Sequence, residues 1–131
     1  MSLEVTMEES ILDSIKKILG VSTEDDAFDE ELLILINSVF MALQQIGVGP
    51  QDTLFHIEDN SSTWSDYVEN PNEIPMIKTY IAIRVRLIFD PPQSSSLDQA
   101  LRQEIAEYEW RLNIKVDDYH VEDSNTEEEE D

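Results

Sequence analysis

A nearly all-apolar run occupies residues 75–89, interrupted only by Lys78, Thr79, Arg84 and Arg86, and it stops at Asp90-Pro91-Pro92. A helix that is apolar nearly all round has no wet side, so it must be covered on most of its surface and the rest of the chain has to pack about it. The stop is equally firm. Proline lacks the amide proton that would continue the helix and biases the preceding residue away from helical geometry. A second helix is predicted from Ser96, with Ser96 and Gln99 at capping-box spacing. At about 100° per residue its Leu97, Leu101, Ile105, Tyr108 and Leu112 share one narrow face, whereas Trp110 lies about 200° away on the polar side.

The segments before this pair are helical too. Residues 8–19 form an amphipathic helix whose Ile11, Leu12, Ile15, Ile18 and Leu19 share a face, closed by Gly20 in the left-handed position. The acid-rich run 23–31 places carboxylates in the first turn of a longer helix, about 26–46, where the macrodipole favours them. Its main face carries Phe28, Leu32, Leu35, Ile36, Val39, Leu43 and Ile46, widened by Leu33 and Phe40, and Gly47 ends it. Ile34 and Met41 lie on the far side. Val48-Gly49-Pro50 opens an irregular section over 51–62, with 54–57 as a short extended piece, and Ser62 caps one turn through Val68 before the Asn70-Pro71 turn. Beyond Lys115 the composition predicts a disordered acidic tail. The expected fold class is therefore all-α, a small bundle of four main helices with an irregular middle section. The expected division is a helical domain over 8–116 and a tail over 117–131.

Composition removes most chemistry. The 131 residues, 40% hydrophobic, suffice for one modest core. With no cysteine there is no thiolate nucleophile, thiolate metal site or disulfide, which suits a reducing cytoplasm. No apolar run is long enough to span a bilayer, no secretory signal precedes the first helix, and no membrane role is expected. His56 and His120 are the only histidines and neither has metal-ligand or nucleophile–base spacing. The Glu24-Asp25-Asp26 and Glu58-Asp59 groups lack the alternating ligands and central glycine of a calcium loop, and three glycines offer no phosphate-cradling loop. No cofactor, no metal and no enzymatic activity are expected. Net charge is −22, from 30 acids against 8 bases, and residues 117–131 hold nine of those acids with no lysine or arginine. So negative a surface repels phosphate backbones and anionic lipid heads.

The order of segments resembles the head-tail connector (adaptor) proteins of tailed bacteriophages. The residues that carry the likeness are Ile11-Leu12-Asp13-Ser14-Ile15-Lys16-Lys17-Ile18-Leu19-Gly20, then Phe28-Asp29-Glu30-Glu31-Leu32 and Leu43-Gln44-Gln45-Ile46-Gly47-Val48. Thr63-Trp64-Ser65-Asp66-Tyr67, Lys78-Thr79-Tyr80-Ile81, Leu87-Ile88-Phe89-Asp90-Pro91-Pro92 and Glu107-Tyr108-Glu109-Trp110-Arg111-Leu112-Asn113 follow in order. Together they cover about residues 8–114, and their order carries more weight than any one of them. The resemblance implies a non-enzymatic virion component, made in the host bacterial cytoplasm, that forms a ring homo-oligomer of about twelve copies below the portal. That ring would bind the portal protein and the next connector or tail-completion protein, and extend a channel through which DNA passes without sequence-specific binding. By analogy the last helix docks to the portal, which makes Tyr108, Trp110, Arg111 and Lys115 candidate assembly contacts. The acids after Asp123 depart from the family pattern.

Ile34 and Met41, apolar on a wet face, join these as candidate assembly residues. Arg84, projecting from the apolar helix between the Tyr80 and Ile77 directions, is expected to form a structural ion pair with a carboxylate. Two rival functions remain. An acidic DNA-mimic inhibitor of a host nucleic-acid enzyme requires carboxylates spread over one continuous folded face. A small metal-dependent enzyme requires ligands that the scarcity of His and Cys withholds.

Overall fold

The computed structural model describes the backbone of residues 7–130 and the side chains of residues 7–114. The architecture is all-α: α1 Ile11–Leu19, α2 Asp29–Gln45, the single turn α3 Trp64–Tyr67, α4 Ile74–Phe89 and α5 Ser95–Glu130, with a 3-10 turn at Pro71–Glu73. Among the described residues the one β-type feature is an isolated bridge between Ser10 and Thr63. α4 is central and packs against α1, α2 and α5, the position its nearly all-apolar surface demands. Ile74, Ile77, Tyr80, Ile81, Ala82 and Val85 are buried along it.

Two helix ends share one device. Gly20 (φ 80°) closes α1 with its amide on Lys17 O (3.2 Å) and the Val21 amide on Lys16 O (2.9 Å). Gly47 (φ 93°) closes α2 with its amide on Gln44 O (3.0 Å) and the Val48 amide on Leu43 O (2.9 Å). Both are Schellman motifs, in which a left-handed residue returns two amides to orphaned carbonyls. Buried Val48 then sits on the core rather than in the loop.

Several expected boundaries move. α1 begins at Ile11, not at residue 8, because the Ser10 side chain accepts from the Asp13 amide and caps it there (3.2 Å). α2 begins at Asp29, since Asp25 Oδ1 is engaged with the Ala27 amide and holds the preceding turn apart (3.0 Å). The cap of α3 is Thr63 rather than Ser62: the Thr63 amide donates to Asp66 Oδ2 (2.9 Å), and Ser62 O instead accepts from the Ile11 amide (3.0 Å). α5 starts at Ser95, because Ser94 Oγ takes the Leu97 amide (3.3 Å), ahead of the Ser96–Gln99 pair. The piece 54–57 forms no strand among the described residues. Asn37 on α2 meets Ile57 there as a strand neighbour would: its Nδ2 donates to Ile57 O (2.9 Å) and its Oδ1 accepts from the Ile57 amide (2.8 Å).

The core faces also need correction at their ends. Ile18, Phe28 and Leu97 are exposed, each lying within two residues of a helix end. Phe28 still packs edge-on against Phe89, with ring centroids 5.4 Å apart. In exchange α1 buries Lys16, only 1% exposed, whose ammonium donates to Asp25 O (2.7 Å), Thr23 O (3.4 Å) and Asp29 Oδ1 (2.7 Å). The acidic loop between α1 and α2 thus folds around a cation. Trp64, fully buried, donates from Nε1 to Ser14 Oγ (3.1 Å) and stitches α3 to α1. α5 continues to Glu130; the side chains of the expected acidic tail, 117–131, lie outside the described residues, as does that of Lys115.

Candidate assembly surface

The helix periodicity of α5 divides its residues between the body and the exterior. Leu101 and Leu112 are buried, and Ile105 and Tyr108 are half-buried against the core. Tyr108, a candidate contact, therefore faces the body rather than projecting freely. Trp110 is 65% exposed. It lines a shallow groove with Ile46, Glu109, Asn113 and Ile114. Ile46, half-buried against the core as expected of the main face of α2, also lines this rim. Ile114 was not singled out from the sequence, yet it is one helical turn after Trp110 and so is bound to lie beside it.

A polar network underlies the groove. Tyr80 is buried on α4, and its hydroxyl donates to Glu109 Oε2 (2.9 Å) while accepting from Arg84 Nη1 (2.8 Å). Arg84 Nη1 is 3.8 Å from the same carboxylate oxygen. Burial raises the Tyr80 pKa, and the bond to Arg84 partly opposes that rise. The network ties α5 to α4 one residue before Trp110. Arg111 is paired with Glu107 across one turn of α5.

The other candidates lie apart from this groove. Ile34 and Met41 are 65% and 50% exposed on one side of α2, where no described element covers them. Among the described residues no group of three or more His, Cys, Asp or Glu side chains is placed to hold a metal ion. No described helix is long and apolar enough to cross a membrane.

Trp110 is thus an exposed indole in a shallow groove of mixed polarity, set beside a partly buried polar network that joins α5 to α4. The chain belongs to a family described as phage connector protein, whose model matches residues 11–119. No curated protein and no solved structure matches it. Membership gives it a structural connector role in a bacteriophage, as a component of the virion.

Proposed function

We propose that this protein forms a ring below the phage portal, joins head to tail and extends the DNA channel, without enzymatic activity. The observation that carries this reading is Trp110, set 65% exposed in its groove on a connector-family chain. In this reading the groove and the outer side of α5 meet the portal. Ile34 and Met41 offer a second apolar strip on α2 for a neighbouring copy or for the next connector or tail-completion protein. The negative body lines a passage that DNA traverses without sticking. A DNA mimic would need its carboxylates free on one face. Here Asp29 is taken by Lys16, Asp66 by the Thr63 amide and Glu109 by Tyr80.

The test is mass measurement in solution with and without the cognate portal. A ring on the portal is expected, and failure of the two proteins to associate at any concentration would sink the reading. Trp110→Ala is expected to cost about 2 kcal/mol or more of portal binding with far less effect on monomer stability, as at an interface hot spot. If that variant instead loses several kcal/mol of folding stability yet assembles normally, Trp110 belongs to its own chain's packing.

A further inference from the structure

Residues 49–57 leave the end of α2 with none of their backbone groups bonded to another backbone group among the described residues. A segment joined in this way depends on side chains, and α2 supplies two of them. Asn37 Nδ2 donates to Ile57 O (2.9 Å) while its Oδ1 accepts from the Ile57 amide (2.8 Å), and Gln44 Nε2 donates to Thr53 O (3.0 Å) and Pro50 O (3.5 Å). Two apolar side chains complete the attachment. Ile57 is buried, and half-buried Phe55 stands 5.0 Å from Phe40 and 4.8 Å from Tyr67 between ring centroids. Residues 51–54 and 56 are exposed. Water replaces side-chain hydrogen bonds at little net cost, so this stretch is fastened more weakly than the helices around it.

What it covers favours release. Phe40 and Tyr67 are buried beneath it, and Gly49 lies so close on the Tyr67 ring that a Cβ there would be 2.5 Å from Cε1. The Tyr67 hydroxyl has no hydrogen-bond partner among the described residues. A buried hydroxyl left unbonded carries a desolvation cost that contact with water returns. Lifting the segment therefore regains part of what the burial of Phe55 and Ile57 loses.

We propose that residues 49–57 form a strap that lifts from the body as a unit while the helices stay folded, baring the aromatic floor of Phe40 and Tyr67, with the Asn37 side chain as its latch. Closed, the strap shows Leu54 as its one exposed large apolar side chain; open, it releases Phe55 as well. The device belongs to the fold and is independent of what docks at Trp110.

Native-state hydrogen exchange of the full chain, read at Ile57 and at Val85 of α4 in rising sub-denaturing urea, tests this. Relative to intrinsic rates, Ile57 is expected to exchange at least about tenfold faster than Val85 and with weaker urea dependence, because a small opening exposes little surface. Equal protection and equal urea dependence at the two amides would overturn the strap, since the segment would then open only with the whole molecule. Asn37→Asp keeps an oxygen for the Ile57 amide but loses the donor to Ile57 O, so the faster exchange expected at Ile57, by about tenfold, reports opening and not a stripped amide. An unchanged rate in that variant would remove Asn37 as the latch and overturn the proposal. Tyr67→Phe takes away the hydroxyl whose hydration favours opening, and is expected to slow exchange at Ile57 by about threefold. No slowing would mean that the opening leaves Tyr67 covered, which also overturns it.

Discussion

Two buried polar side chains show how differently the interior treats its guests. Tyr67 is buried with its hydroxyl unpartnered among the described residues, wedged among Phe40 and Phe55 at ring-centroid distances of 4.7 and 4.8 Å. Gly49 must stay a glycine beneath it, since a Cβ there would lie 2.5 Å from Tyr67 Cε1 and its φ is already +82°. Because the hydroxyl gains no bond, Tyr67→Phe is expected to change stability by less than about 1 kcal/mol, in the stabilising direction if at all. Urea unfolding at neutral pH measures it. The same substitution should matter at high pH. Burial raises the Tyr67 pKa, so the neutral phenol is favoured in the fold. That contribution is whole below the unfolded phenol value near ~10 and is lost as pH climbs towards the raised folded value. The Tyr67→Phe protein should therefore lose less stability in alkali than the parent. Lys16 is the opposite case, a buried charge with all its partners in place. Lys16→Met is expected to cost about 3 kcal/mol, since it strips the cation from Asp29 and from two carbonyls of the loop. An unfolding free energy within error of the parent would refute it.

At the level of elements, periodicity located every main helix because each buries a stripe that repeats in sequence. It found α4 through its nearly all-apolar surface and placed Trp110 on the outside through the angle separating it from Leu101 and Leu112. The ends escaped it because caps compete locally. Three consecutive serines, Ser94, Ser95 and Ser96, stand where α5 begins, and it is Ser94 whose hydroxyl takes the Leu97 amide. Lys16 and Asn37 were also missed, for a different reason. Each is polar on a local pattern that assigns it to solvent, and each is buried or engaged only because a distant loop, 22–29 or 55–58, comes to cover it. Ile114 was within reach, from its spacing to Trp110. The division of the helical body from the acidic segment that ends α5 remains a proposal drawn from composition, since so charged a run has too little apolar surface to contribute to the core. Deleting residues 117–131 is therefore expected to leave the thermal midpoint nearly unchanged. Loss of cooperative unfolding in the shortened chain would show that the segment packs.

Taken whole, the molecule holds 30 acids and 8 bases, and most of the described bases are already committed to ion pairs. The remaining like charges repel across the compact body more than across an expanded chain. Salt should accordingly stabilise it: moving from about 0.01 M to about 1 M sodium chloride shortens the Debye length from about 30 to about 3 Å. A gain of about 1 kcal/mol, or roughly 5 °C in thermal midpoint, is the expected scale for a domain this size. A midpoint that falls with salt would mean that the ion pairs outweigh the repulsion. The two tryptophans occupy opposite surroundings, Trp64 sealed at 0% exposure against Ser14 and Trp110 open to water. The chain thus carries its own pair of fluorescent reporters: blue-shifted, quencher-resistant emission from Trp64 follows unfolding, and red-shifted, quenchable emission from Trp110 follows docking. A single titration then separates a partner that binds from one that merely unfolds the protein, with no added label.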